Sequence, residues 1–450
     1  MFVSSDGGDD ATGDGTRGAP YKTISKGVAS SGGKNVYVCV GATDYVEKLT
    51  LDSSADGVHI YGGFECSTWT YATTRSAQLV SPSNIALRID GVKQGVTIEN
   101  LGFTASDATG EGPDASSYGA FVTDSKNVVL RRVSLTAGDG AKGADGEAGG
   151  KGDDGATAGV DQVGKPALCT APSASVDGGV WSGAICGSRG GDGGKGVLDD
   201  VGGAALSGTP KSNVTPANQA NFGSGSSDAS HGGDGSEGSP GNAGAVGDAP
   251  AEAGTFAKSG FVPASGLSGA SGFPGQGGGG GGGSKGSATC RGASGGAGGM
   301  GGCGGTAGHG GVGGGASVGL FSWNSQLTLS ACSIESAAAG AGGGGGKGGA
   351  GGLGAMGAAG GSAFTDGNNT IARGGSGGFG GNGGPGGSGS GGSGGSSYAV
   401  VYSGTKPSYT EPDTKLTAGD GGDAGVGGEV ASVKAPDGSV GVSATELEVL

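Results

Sequence analysis

Proline is scarce in this chain, 15 residues in 450 against 118 glycines. That excludes a collagen triple helix, which needs proline or hydroxyproline at roughly 15 to 20% beside its glycine at every third place. Aromatic residues make up only 5% and apolar residues 33%, so a conventional core is confined to part of the chain. No run approaches the roughly 18 to 20 apolar residues of a membrane span. Basic charge is short as well: 25 Lys and Arg stand against 40 Asp and Glu, a net charge of −15. This argues against nucleic acid and anionic membranes as partners, because both demand a basic surface. The opening Met1-Phe2-Val3-Ser4-Ser5-Asp6 carries neither the basic nor the apolar region of a secretory signal.

Chemistry-bearing residues are equally sparse. The three histidines, His59, His231 and His309, lie far apart, and no Ser/His/Asp order or metal-ligand spacing emerges. The expectation is therefore a protein that is not an enzyme, with no cofactor apart from one calcium candidate. Asp6, Asp9, Asp10 and Asp14 crowd one loop, and hard cations choose carboxylate oxygens, although the spacing is not that of an EF-hand. Asn213-Val214-Thr215 fits a glycosylation sequon. None of the seven cysteines has zinc-like spacing. Neighbours in sequence suggest the disulfides Cys39 with Cys66, Cys169 with Cys186 and Cys290 with Cys303, leaving Cys332 as a buried free thiol. Disulfides point to an oxidising setting, so the expected location is extracellular or on a cell surface.

What the chain does have is period. Glycine recurs at every third position from Gly342 to Gly360 and again from Gly374 to Gly395. A three-residue repeat matches the polyproline-II conformation, with three residues per turn and a rise of about 3.1 Å, and sets glycine on one face. Flexible Gly/Ser linkers have no reason to keep such register. The tracts are expected to be packed polyglycine-II helices, the longest roughly 50 to 65 Å. A second glycine column in 296–314 and 342–360 predicts that those passes have close neighbours on two sides. The charged column of 140–155, with Lys142, Asp145, Glu147, Lys151, Asp153 and Asp154, predicts a solvated rim.

Between the tracts a second pattern repeats. Val96-x-Ile98-x-x-Leu101-x-Phe103, Val128-x-Leu130-x-x-Val133-x-Leu135 and Leu327-x-Leu329-x-x-Cys332-x-Ile334 superimpose. Alternation at period two marks half-buried strands, and the extra residue marks a corner. Arg131 and Arg132 fall at that corner and are expected to be solvated. Stacked strand–turn–strand coils bury their apolar edges only against one another, which is the logic of a parallel β-helix. Leu135-Thr136-Ala137-Gly138 and Leu416-Thr417-Ala418-Gly419 open two tracts from the same coil position. All excursions should therefore leave the stack at one corner.

The predicted fold is mainly β: a short right-handed parallel β-helix with a laterally attached bundle of polyglycine-II helices. Its parts are capped coils over 1–137, a first excursion of about five passes over 138–316, a coil over 317–336, a two-pass excursion over 337–396, and terminal coils over 397–450 with a short excursion at 419–428. The segment Asp14-Gly15-Thr16-Arg17-Gly18-Ala19-Pro20-Tyr21-Lys22-Thr23-Ile24, followed by Asn35-Val36-Tyr37-Val38, resembles the start of secreted pectate-lyase-like right-handed β-helix proteins. In these a short amphipathic helix caps the stack. Tyr61-Gly62-Gly63-Phe64 with Trp69 and Arg75 is similar to an element of bacterial surface β-helix proteins. These motifs cover about the first 135 residues and bear on fold, not activity. In repeat character the glycine region resembles snow-flea antifreeze proteins and the tip adhesins of some tailed phages.

The functional expectation is a non-catalytic secreted or cell-surface scaffold or adhesin. Its partners would be glycans or another surface protein, with self-association open. Loops at the far end of the bundle, over 169–186, 197–230, 250–265, 284–291 and 362–373, would present Trp181, Phe222, Phe256, Phe261 and Phe364 to sugars. Two alternatives stand beside this: ice binding through the Ser-rich, Gly-rich pass 374–395, and a polysaccharide-lyase-like enzyme.

Overall fold

In a computed structural model the described residues are 1–110, 112, 115–170, 172–216, 221–367, 369–410 and 414–450. They build a mainly β molecule with three large parallel sheets and a single short α-helix, Ile24–Ala29. The first sheet contains Phe2–Val3, Val36–Val40, His59–Glu65, Val96–Glu99, Val128–Arg131, Leu327–Ser330 and Ser408–Thr410. The second runs from Tyr45–Val46 through Ala77–Val80, Leu101–Thr104, Ser134–Thr136 and Ser333–Glu335 to Lys415–Thr417. The third runs from Leu49–Leu51 through Ile85–Asp90, Ser117–Thr123, Ser317–Trp323 and Ser397–Ser403 to Ser443–Val449. From Val36 onward the chain visits them in strict rotation, first, second, third. Each turn of that rotation lays one strand on every sheet.

Equivalent residues stack in the interior because the register is constant. Val128 pairs with Val96 and Leu327, and Leu135 with Phe103 and Ile334. These are buried to within a few percent, as is the free thiol of Cys332. Burial pushes that thiol above its ordinary pKa. The extra residue between the first and second sheets does mark a corner: Asn100, Arg132 and Ala331 occupy it with φ of 54°, 51° and 54°. Such left-handed backbone suits Asn and is strained at Ala.

Every glycine excursion leaves after a strand of the second sheet and returns to start a strand of the third. A buried serine begins each of the returning strands Ser317–Trp323 and Ser397–Ser403, as it does Ser117–Thr123. Ser117 Oγ accepts from the Gly138 N–H at 2.9 Å. Ser317 Oγ donates to the Gly138 carbonyl at 2.8 Å and accepts from the Ala337 N–H at 2.9 Å. Ser397 Oγ donates to the Ala337 carbonyl at 2.8 Å, and Ser443 Oγ to that of Gly419 at 2.6 Å. This serine ladder clamps the root of all three excursions to the sheet.

The tracts are joined laterally by backbone hydrogen bonds repeating every third residue. Gly296, Gly299, Gly302, Gly305, Gly308, Gly311 and Gly314 donate to carbonyls 375 to 393 in the parallel pass 374–395. Gly340, Gly343, Gly346, Gly349 and Gly352 donate to carbonyls 315 to 303 in the antiparallel pass 294–315. The other columns of each pass serve other neighbours. Close approach requires glycine: a Cβ on Gly349 would lie 1.9 Å from the Gly150 carbonyl oxygen, and one on Gly383 the same distance from that of Cys303.

The packing corrects several expectations. The enclosed stretches are 275–284, 294–303 and 386–395, while 342–360 lies at the rim with Lys347, Ala350, Leu353 and Met356 exposed. Its glycines mark touching backbones, and touching does not require burial on every side. Segment 197–230 is not simply a loop. Residues 202–209 and 221–226 add two short passes, bonded to 188–196 and to 264–284, while residues 217–220 lie outside the described residues. The serines of pass 374–395 do not form an open face, because Ser388, Ser390 and Ser393 are fully buried.

A rim pass leaves one column of N–H groups without a neighbouring tract, and carboxylates fill part of that vacancy. Asp145 Oδ1 accepts from the Gly344 N–H at 2.8 Å and Asp154 Oδ1 from the Leu353 N–H at 2.7 Å. Asp139 and Asp234 do the same for Ala338 and Ser376. The Gly344 N–H and then Lys142 hold the Asp145 carboxyl below its ordinary pKa, as Lys151 and then the Leu353 N–H do for Asp154.

Two of the three disulfides also differ from expectation. Cys39–Cys66 forms as predicted, but the others are Cys169–Cys290 and Cys186–Cys303. Antiparallel neighbours decide this. Leu168 bridges to Arg291, which sets Cys169 beside Cys290, and the pass beginning at Ser188 runs against 294–301, which sets Cys186 beside Cys303.

Candidate functional site

On the first sheet Val3, Val36, Val38, Ile60, Ile98 and Leu130 point inward and are buried. The alternate residues therefore form an outward row along the stack. In register it reads Phe2, Tyr37, Tyr61, Glu99, Arg131. Phe2 and Tyr37 stack at 5.1 Å, Tyr37 and Tyr61 at 6.1 Å, and His59 lies beside Tyr61 at 6.2 Å. The segment around Cys66, which a disulfide ties to Cys39, adds a flank, with Trp69 edge-on to Phe2 at 4.8 Å and Phe64 against Tyr37 and Tyr71 at 5.4 and 5.3 Å. Arg17 covers Phe2 at 5.2 Å, a cation–π contact.

The row ends in a charged cluster at the left-handed corner. Glu99, whose side chain is 11% exposed, pairs with Arg131 at 3.0 Å and Arg132 at 3.1 Å. Arg132 also donates to Asn100 Oδ1 at 2.8 Å and to the Tyr71 hydroxyl at 2.9 Å. Buried Asn100 donates to the carbonyls of Thr73 and Arg75, which fixes the flanking segment. The arginines of the corner are solvated as expected from sequence, Arg131 at 53% and Arg132 at 35% side-chain exposure, and they are ion-paired as well. Burial, then the charge of Glu99, raises the Tyr61 hydroxyl above its ordinary pKa and keeps it a neutral donor.

Stacking uses up most ring faces. What remains available are ring edges, the Tyr71 ring at 41% exposure, and guanidinium groups with spare N–H donors. Such a strip donates hydrogen bonds beside apolar edges, which suits a polyhydroxylated ligand.

The residues singled out from sequence do not converge in this way. Asp6 accepts from Ala42 and Thr43, Asp9 from Ala11 and Thr12, Asp10 from Lys22 and Thr23, and Asp14 from Thr16. Each carboxylate is spent on a different turn, and among the described residues no group of three metal-ligating side chains forms. Phe256 and Phe261 are not at the far end of the bundle: their hairpin folds back onto the third sheet against Tyr118, Phe321 and Tyr398. Phe364 packs on Ala167, Cys290, Ala293 and Ile371. Trp181 donates to the Gly298 carbonyl at 2.7 Å, and Phe222 is 44% exposed. Residues 171, 217–220 and 368 of those loops lie outside the described residues. The outward row was legible as alternation over Val36-Tyr37-Val38 and His59-Ile60-Tyr61, but the reading followed only its inward half.

No family model, curated protein or solved structure matches the chain. No helix among the described residues is long and apolar enough to cross a membrane, and the three disulfides are consistent with an extracellular protein.

Proposed function

We propose that the protein is a non-catalytic, secreted or cell-surface scaffold of the adhesin type: a parallel β-helix carrying a bundle of polyglycine-II helices, with a glycan-contacting strip on its first coils. One observation carries the reading. Successive residues of a tract donate to different neighbouring tracts with a period of three, which is the symmetry of a three-residue-per-turn helix. A right-handed coil follows from the general hand of parallel crossovers. The outcome is a rigid body whose polar groups are largely committed to holding it together.

The glycan strip takes the place of the bundle-tip loops, whose aromatic residues are mostly packed against the body. A polysaccharide-lyase-like role would draw on Arg131 and Arg132, both paired to Glu99, and so is the weaker reading. Ice binding would have to use the rim column of Lys347, Ala350, Leu353 and Met356 in place of the buried serines.

Screening the intact protein on immobilised glycans should give saturable binding and no product. Replacing both Tyr71 and Arg131 by Ala should weaken that binding at least about tenfold, and Phe222→Ala should leave it unchanged. Turnover of a bound glycan would contradict the scaffold reading. Loss of binding in Phe222→Ala alone would return the site to the bundle tip.

A further inference from the structure

The inward columns of the third sheet end in charge. Along the stack Leu320 pairs with Val400 and Ser322 with Tyr402, and the next strand, Ser443–Val449, sets Glu446 and Glu448 in those positions. Lys406 pairs with Glu446 at 2.6 Å and the Tyr409 hydroxyl donates to it at 2.6 Å, so polar groups close the interior. Glu448 is exposed and makes no hydrogen bond or ion pair among the described residues. The alternate residues Leu447 and Val449 face outward and pack on the cluster of Phe321, Tyr398 and Val401. Together with Phe256 and the exposed Val440 and Val442 they line a groove of about 950 Å³. The strand also has a free edge. The Val442 carbonyl accepts from the Ser397 N–H at 2.8 Å, and successive residues of a strand turn their N–H and C=O groups to opposite sides. Those of Thr445, Leu447 and Val449 turn away from Ser397–Ser403, toward a side where no strand pairs among the described residues.

We propose that this edge docks an extended segment of another protein in which basic and apolar residues alternate. Backbone hydrogen bonds supply the affinity, as in strand addition to any exposed sheet edge, and side chains supply the choice. On the inward face the segment meets Glu446 and Glu448, which favours Lys or Arg there. On the outward face it meets Leu447, Val449 and the groove, which favours Val, Ile or Leu. Alternation fixes the register, since a slip of one residue would turn the basic side chains into the apolar groove. A second copy of this strand laid in register is refused, because it would set glutamate beside glutamate, and like charges across strands destabilise. The net charge of −15 draws a basic partner as well. This goes beyond the scaffold reading and does not depend on the glycan strip, which lies on the first sheet.

The probe is the synthetic peptide Thr-Lys-Val-Lys-Leu-Lys-Thr. It is compared with Thr-Glu-Val-Glu-Leu-Glu-Thr and with Lys-Lys-Lys-Thr-Thr-Val-Leu, which keeps the composition of the first without its alternation. The intact protein should bind only the first, and binding should slow amide exchange at Thr445, Leu447 and Val449. Glu448→Lys should weaken that binding at least about tenfold and leave the melting temperature unchanged, because Glu448 is exposed and unpaired. Glu147→Lys, the same charge change on the exposed rim of the bundle, should leave binding as it was. Equal binding of the two basic peptides, unchanged exchange at the three amides, or full binding by Glu448→Lys would overturn the proposal. So would exchange at those amides that slows with protein concentration in the absence of peptide, since the occupant would then be a second copy.

Discussion

Replacing Gly349 by Val is expected to destabilise the protein by about 3 kcal/mol or more, at the upper end of what over-packing costs, whereas Ala350→Val should stay within about 0.5 kcal/mol. The two residues are adjacent on one rim pass. A Cβ at 349 would sit 1.9 Å from the Gly150 carbonyl oxygen, a backbone atom that can move only if pass 140–155 moves with it. Ala350 already carries a side chain in the exposed column. Denaturant midpoints of the two variants compare them directly. Equal effects would mean that the glycine columns do not report backbone contact.

Ser317→Ala should cost about 2 to 4 kcal/mol, although it removes a single oxygen. Ser317 is fully buried and serves two excursions at once, donating to the Gly138 carbonyl and accepting from the Ala337 N–H. Removing it leaves the buried Gly138 carbonyl and the part-buried Ala337 N–H unpaired, a buried group of this kind costing roughly 1 to 3 kcal/mol. Ser317→Thr, which restores the hydroxyl, should recover part of the loss. Equilibrium unfolding of the three proteins checks this. A Ser317→Ala variant as stable as the parent would show that the serine ladder does not hold the bundle to the sheets.

The alignment of the three coil segments could be read from sequence because strand period and stacking register are the same information. Val96, Val128 and Leu327 had to coincide if the corner residue was shared. The common exit corner was legible for the same reason. Two of the three disulfides were not, since nearness in sequence says nothing about which antiparallel passes lie side by side. The short passes 202–209 and 221–226 escaped notice because Ala205, Leu206 and Ser224 interrupt their glycine spacing. Two signals were present and unread. Asp139, Asp145 and Asp154 are spaced by multiples of three, the mark of one column facing one neighbour. Ser117, Ser317 and Ser397 open three equivalent strands, but a polar residue at a strand start reads as outward when in fact it clamps the root of a tract.

Amide hydrogen exchange along 340–361 tests the account most directly. Gly346, Gly349 and Gly352 donate to carbonyls of pass 294–315, while Lys347 and Ala350, one residue onward from Gly346 and Gly349, face solvent. Exchange should therefore alternate with a period of three, slow at 346, 349 and 352 and fast at 347 and 350. Uniformly fast exchange through the tract would contradict the account and leave the glycine repeats as loose linkers.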